Sequence, residues 1–358
     1  MDEATAQLIE AVRTAASGRR ALCIRAGGSK DFYGNPPCGE RLDPRVSNGV
    51  VAHDPSELVI TVRAGTPLSE VEALLASRHQ MLAFEPPHFG PGATIGGCVA
   101  AGLAGPRSAS AGTARGAIRD FVLGAKLIDG RGRLLSFGGT VIKNVAGYDV
   151  SRVLAGSLGI LGVIVELSLK VVPRPLREAT LRFECDESSA LGYMNGWSRE
   201  PLPVSASAWS GGELILRLSG SPAAVAAARL RLGGEERDTQ EATRFWTCLR
   251  EQDATFFSGD TPLWRLSLPS IAEPIGSVEP QLIEWGGAMR WLRSDRPAAE
   301  LRRRAVALGG HATLFRGGDR AQGVFSPLSP PLARIHAALK SEFDPCGIFN
   351  PGRLVAGL

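Results

Sequence analysis

The chain has 358 residues, 44% of them hydrophobic, and a net charge of +4. That length suits two or three domains with a sizeable core. The small charge, with no basic block beyond Arg302–Arg303–Arg304, argues against a nucleic-acid surface. No stretch reaches the roughly 20 apolar residues of a spanning helix, and the charged, periodic first segment lacks the apolar region of a secretion signal. A cytoplasmic protein is therefore expected. The six cysteines show no C-x-x-C spacing, which disfavours iron–sulfur clusters and zinc ribbons. Free thiols and no metal site are expected.

In chain order, residues 4–16 read as a helix with Leu8, Ile9 and Val12 on one face. Residues 21–29 read as a short strand entering a glycine turn. Residues 58–77 read as strand then helix, with Thr66 at the N-cap and Pro67 at the first helical position. Residues 121–138 give two strands about an Asp-Gly turn. Residues 157–175 read as a glycine-punctuated helix end, then an alternating strand stopped by Pro173 and Pro175. The composition shifts after that point. Residues 204–210 and 213–220 read as a hairpin about Gly211-Gly212, and 221–232 as a helix with Ser221 at its N-cap. Residues 262–269, 281–294 and 311–317 are strand candidates, and 297–308 a further helix. The last stretch is a helix followed by a Pro- and Gly-rich tail. This mixture predicts an antiparallel sheet covered by helices. Trp197, Trp209, Trp246, Trp264, Trp285 and Trp291 all fall in this second part, where core or interface roles are expected.

Glycine is abundant, at 43 residues. Four stretches concentrate it: RAGGSKD (25–31), GATIGGCVAAG (92–102), SAGTARGAIRD (110–120) and GSLGILGVI (156–164). They read as loops. Glycine permits positive φ and leaves amides unobstructed, so successive N–H groups can point at phosphate oxygens. Ser29, Thr94 and Thr113 add hydroxyls. Two readings stand: a long ligand touched by several segments, or glycines serving tight turns and strand–helix packing. Neither G-x-G-x-x-G after a strand nor G-x-x-x-x-G-K-[ST] occurs, which disfavours Rossmann and P-loop domains.

Taken in order, RAGGSKD, PPHFGPGATIGG (86–97), GTARGAIRDFVLGAKLIDGRG (112–132) and GSLGILGVIVELSLKVVPRP (156–175) resemble the FAD-binding domain of the vanillyl-alcohol oxidase/PCMH superfamily. IKNVAGYDVSRVLAGSLG (142–159), GGHATLFRG (309–317) and FDPCGIFNPGRL (343–354) are similar to the FAD-binding E subunit of bacterial glycolate oxidase. The resemblance implies an α+β protein: a PCMH-type FAD-binding domain of two α/β subdomains (1–175), a smaller antiparallel α+β cap (176–340), and a C-terminal tail (341–358) returning to the FAD domain. It implies an extended FAD whose pyrophosphate lies on glycine-rich backbone. Arg25, Gly27, Gly28, Ser29 and Lys30 would form the first contact loop. Thr94, Ile95, Gly96 and Gly97 would run along the pyrophosphate and flavin edge, and Gly112, Thr113, Arg115 and Gly116 would close the other side. Ile164 would face the adenine. Asn350 would either bond the flavin pyrimidine edge or cap a turn. Covalent members of the superfamily carry His in a pattern like R-G-G-H; Ser29 follows Gly27-Gly28 here, so non-covalent FAD is implied.

The resemblance further implies oxidation of glycolate to glyoxylate, in a complex with a second flavoprotein subunit and an iron–sulfur subunit. It leaves two roles open for this chain, catalytic or FAD-holding within the assembly, with a stand-alone oxidase of another 2-hydroxy acid or sugar alcohol as a third. Related catalytic subunits carry an H-x-G-D-G-N-x-H metal motif that is absent here. Its nearest counterpart holds His311, a base or a hydrogen-bonded sheet residue, and Arg316, a carboxylate clamp or a solvated strand end. Tyr148 and Lys143 are placed by the resemblance near the flavin's reacting side. His53, His79, His88 and His336 read as surface or packing residues.

Overall fold

The computed structural model describes residues 2–109, 117–140, 149–276 and 279–358. In its first part, helix α1 (Glu3–Ser17) precedes strands β1 (Leu22–Ile24), β2 (Glu40–Leu42), β3 (Val50–Asp54) and β4 (Val59–Arg63). Then follow α2 (Leu68–Ser77), β5 (Gln80–Met81), α3 (Ile95–Ala101), β6 (Val122–Ile128), β7 (Leu134–Gly138), β8 (Val163–Lys170) and β9 (Val172–Pro173). Strands β3-β4-β8-β6-β7 make an antiparallel five-stranded sheet, while β1 and β2 pair in parallel beside it.

The second part runs β10 (Arg177–Glu184), α4 (Glu187–Trp197), β11 (Val204–Ser210), β12 (Glu213–Gly220), α5 (Pro222–Leu232), β13 (Glu235–Glu236) and α6 (Thr239–Glu251). It continues with β14 (Leu263–Ser267), β15 (Gln281–Glu284), β16 (Met289–Arg293), α7 (Ala298–Ala307), β17 (His311–Arg316) and α8 (Pro330–Phe343). Its sheet has eight antiparallel strands in the order β13-β10-β12-β11-β15-β16-β14-β17.

Local chemistry explains the first elements. Leu8, Ile9, Val12 and Ala15 form the buried stripe of α1, and the Asp2 side chain caps it by accepting from the Thr5 amide at 2.8 Å. Thr66 is not the N-cap of α2. Pro67 takes that place, and the Thr66 hydroxyl instead bonds the Arg63 and Gly49 carbonyls, closing the turn after β4. Residues 157–162 form turns rather than a helix end. Strand β8 does not alternate between core and solvent. As the middle strand it is covered on both sides, Val163 and Val165 facing the α1 core while Leu167 and Leu169 face the α2–α3 core. In the second part, residues 281–294 are two strands, β15 and β16, joined by a 3₁₀ turn at Trp285–Gly287 where Gly286 has φ +62°. The hairpin turn at Gly211-Gly212 has positive φ at both residues, as its glycines imply. Of the six tryptophans, four are buried and Trp197 and Trp285 are half-buried, so no exposed tryptophan face is present for a partner to cover.

The two parts meet along the eight-stranded sheet. Tyr33, Ala101 and Leu103 of the first pack with Trp246, Phe257, Leu282, Trp291 and Phe315 of the second. An ionic cluster ties the same boundary. Glu85 accepts from Arg217 on β12 at 2.8 Å and from Arg107 at 3.2 Å. Burial alone would raise the Glu85 carboxyl, but the two guanidinium groups outweigh it and hold it below the ordinary carboxylate range. Its stabilising effect is therefore complete above the unfolded-state value of about 4.5 and is lost as the pH falls through the lower folded-state value. Glu85→Gln, which leaves Arg217 and Arg107 without their shared carboxylate, is expected to cost about 3 kcal/mol at pH 7. The deficit should shrink at acid pH, where wild-type Glu85 is also neutral; urea unfolding at both pH values measures it.

Candidate functional site

A cleft of about 810 Å³ opens in the first part. One wall is the loop following β1, residues 25–31; the opposite walls are α3 and residues 158–164, and the tail at Asn350 and Arg353 closes the end. Among the described residues, none accepts a hydrogen bond from the amides of Gly27, Gly28, Ser29 or Lys30. Gly28 has φ +74°, which favours glycine. Four successive free amides beside a lysine make an anion-binding concavity.

Helix α3 contributes differently. Its Ile95 and Gly96 amides donate to the Thr66 and Ala64 carbonyls, and its Gly97 amide donates to the Thr94 hydroxyl at 3.2 Å. Residues 95–101 are therefore a short capped helix, not a loop, and its first amides are already engaged. It offers the cleft a smooth face of Gly96, Gly97, Ala100 and Ala101.

The glycines also divide by cause. A Cβ on Gly27 would sit 1.6 Å from the Gly92 carbonyl oxygen, and one on Gly96 would sit 2.6 Å from the Ala64 Cβ. Both are small because backbone packs on protein. Among the described residues, a Cβ on Gly97 would meet only the Thr94 hydroxyl, at 3.1 Å, on the wall of the cleft.

Charges in the cleft are few. Arg25 is paired with Asp31 at 2.5 Å. Arg353 is buried and donates to the Asp31, Tyr33 and Asn35 carbonyls, which shapes the first loop. Among the described residues Lys30 bonds only the Ser29 hydroxyl and the His88 carbonyl, and burial lowers its pKa. It has no carboxylate partner among the described residues.

The anticipated residues fall out as follows. Arg25, Gly27, Gly28, Ser29, Lys30, Thr94, Gly96, Gly97, Ile164 and Asn350 all line the cleft. Ile95 does not; its side chain is fully buried in the α2–α3 core. The Asn350 amide group accepts from the Ile24 amide at 2.7 Å and donates to the Leu158 carbonyl at 2.6 Å, so it ties three segments together. Gly112, Thr113, Arg115, Gly116, Lys143 and Tyr148 lie outside the described residues.

His311 and Arg316 stand at opposite ends of β17, about 16 Å apart at ~3.3 Å per residue. One small acid cannot touch both. His311 is exposed. Arg316 is half-buried, 4.6 Å from the Phe32 ring centroid, and donates to Gln252 at 3.0 Å. Arg353, Arg265 and Glu284 were not anticipated. Arg353 stands three residues after Asn350 in a motif already singled out. Arg265 and Glu284 are isolated charges in apolar strands, which was their only signal.

Comparison with known proteins agrees with this geometry. Residues 3–138 match the family model of an FAD binding domain. Alkyldihydroxyacetonephosphate synthase superposes over 98% of this chain and 76% of its own, with a TM-score of 0.67 at 16% identity, which establishes a shared fold. Fold, cleft and family model together define an FAD-binding flavoprotein of the PCMH type. Glycolate oxidase subunit GlcE of Escherichia coli (strain K12) is 50% identical over 98% of this chain and 97% of its own length. Glycolate oxidase subunit GlcD of Bacillus subtilis (strain 168) is 33% identical over 37% of this chain and 27% of its own. The chain belongs to the GlcE family of glycolate oxidase subunits.

Proposed function

We propose that this chain holds FAD non-covalently in the glycine-lined cleft, as a subunit of a complex that oxidises glycolate to glyoxylate. The observation that carries the reading is the run of amides at Gly27–Lys30 left free among the described residues, facing the small-residue wall of Gly96, Gly97, Ala100 and Ala101 across the cleft. Such a surface suits an extended, doubly charged pyrophosphate without a large net positive charge. Bound FAD would supply the redox chemistry. The chain's own residues would orient it: the loop amides and Lys30 at the pyrophosphate, the α3 face along its edge, and Ile164 at the adenine. Gly112, Thr113, Arg115, Gly116 and Tyr148 belong to this site on the family resemblance. Ser29, where covalent relatives carry His, supports dissociable flavin.

Identity along nearly the whole of a glycolate oxidase subunit supports assembly with other subunits. A second flavoprotein subunit and an iron–sulfur subunit are the partners proposed; the lack of any C-x-x-C here fits clusters carried elsewhere. Among the described residues no helix is long and apolar enough to cross a membrane. A cytoplasmic location, at the membrane only through the complex, is proposed. One observation favours a second reading, that this subunit holds FAD without reacting: His311 and Arg316 do not converge on one point.

The test is purification of the chain alone and within the complex. It should be yellow, release its flavin on acid or heat denaturation, and bleach on anaerobic glycolate. Flavin retained by the denatured chain would overturn the non-covalent reading. A yellow chain that glycolate bleaches neither alone nor in the complex would favour the holding role.

A further inference from the structure

The face of the eight-stranded sheet turned towards the FAD-binding part carries two charged residues with incomplete surroundings. Arg265 on β14 pairs in register with Trp291 on β16, and Trp291 pairs with Leu282 on β15. Glu284 lies two residues beyond Leu282, so Arg265 and Glu284 share one face and stand diagonally across Met289. That face packs against Tyr33 and Leu158. Leu158 also lines the cleft, so the face begins where the cleft ends.

Both charges are only partly satisfied among the described residues: the Arg265 guanidinium engages the Tyr33 hydroxyl, but not through all its donors. Arg265 stacks 5.5 Å from the Trp285 ring centroid, and its Nε is buried with no hydrogen-bond partner among the described residues. Glu284 is 3% exposed and, among the described residues, accepts one hydrogen bond, from the Trp291 indole at 2.7 Å. A buried guanidinium nitrogen and a buried carboxylate left this way are costly unless a ligand completes them. Arg316, by contrast, already donates to Gln252 and is boxed by Phe32, Phe89 and Phe315.

We propose that Arg265 and Glu284 form a binding site for a small 2-hydroxy carboxylate, Arg265 taking the carboxylate and Glu284 the 2-hydroxyl. The guanidinium fork matches a carboxylate. The inference deepens the proposed function and rests on it for the ligand class.

The surroundings also fix the pH response. Burial pushes the Glu284 carboxyl up to about 7, opposed by the Trp291 hydrogen bond and the charge of Arg265. Arg265 is the charged group facing it, with Tyr33 beyond, whose hydroxyl burial keeps protonated. An anionic ligand binds more readily beside a neutral Glu284. Affinity should therefore fall as the pH rises through about 7.

Calorimetric titration of the FAD-loaded chain with glycolate, and with acetate as the analogue lacking the hydroxyl, tests this. Arg265→Met should weaken both ligands by about tenfold or more. Glu284→Leu should abolish the preference for glycolate over acetate, whereas Glu284→Gln, which holds the side chain neutral, should keep it and flatten the profile between about pH 6 and 8. Arg265→Lys, which keeps the charge but loses the fork, should fall between and replaces Arg265→Met should that variant fail to fold. Wild-type protein that binds no glycolate, or either arginine variant within twofold of wild type, would overturn the proposal. Flavin content, read separately from visible absorbance, reports on the proposed function: a chain that binds glycolate but no FAD would sink that reading alone.

Discussion

Gly97→Val is expected to strip the protein of FAD while leaving it folded, and Gly27→Ala is expected to lose both properties. The difference follows from what each new Cβ would meet. At Gly97 the only neighbour among the described residues is the Thr94 hydroxyl at 3.1 Å, which can yield by a few tenths of an ångström. The rest of the valine would project into the cleft against the cofactor. Helix α3 itself tolerates the change at a cost below about 1 kcal/mol, since valine is no worse a helix former than glycine. At Gly27 the Cβ would fall 1.6 Å from the Gly92 carbonyl oxygen, so two loops must separate. Circular dichroism melting of the apoproteins, with FAD titration by fluorescence quenching, distinguishes the two. Gly97→Val protein with full FAD occupancy would show that the helix face does not lie against the cofactor. Gly27→Ala protein melting with wild type would show that the loop contact is dispensable.

Asp344→Ala is expected to destabilise the chain by about 3–5 kcal/mol, the range for removing one member of a buried pair. The Lys340 ammonium is buried and donates to Asp344 at 2.7 Å and to the Ile160 and Phe349 carbonyls at 2.8 Å. Asp344 also accepts from the Ile348 and Phe349 amides, at 3.0 and 2.8 Å. The substitution leaves a buried cation with two carbonyls but no counter-charge, and two amides without partners. Adding Lys340→Met should recover part of the loss, because it removes the uncompensated charge. FAD affinity should fall with stability, since this knot positions Asn350 and Arg353. Urea unfolding of the single and double variants measures the effect; a single-variant loss under about 1 kcal/mol would show that the knot is solvated or redundant.

Some of this architecture was readable from the residues. The hairpin at Gly211-Gly212, the Ser221 cap and the Asp-Gly turn after Ile128 each rest on local chemistry, and the structure has all three. Three of the four glycine stretches, 25–31, 92–102 and 156–164, marked segments that wall the cleft, and most of the fourth lies outside the described residues. They could not show which glycine is small for the sake of its neighbours and which for the open space, because Gly92 and Ala64 meet Gly27 and Gly96 only through tertiary contact. The same limit hid the cap of α3. Composition suggested backbone laid bare, whereas Thr66 and Ala64 already occupy its first donors. Helix α6 went unread although Asp238 caps it by accepting from the Gln240 and Glu241 amides, a signal present in the residues. Arg265 and Glu284 are 19 residues apart and become neighbours only through the strand order β15-β16-β14, which no local pattern encodes.

Strand β1 has a partner that comes late. The Phe349 segment bridges Leu22 in parallel, and Asn350 receives the Ile24 amide across 326 residues. At about 5–20 residues per second a ribosome needs roughly 16–65 s to cover that interval. Throughout it, the nascent loop that begins the cleft has no strand on one flank, and no asparagine joins it to Leu158. The cleft is thus complete only once the C-terminal tail has been synthesised.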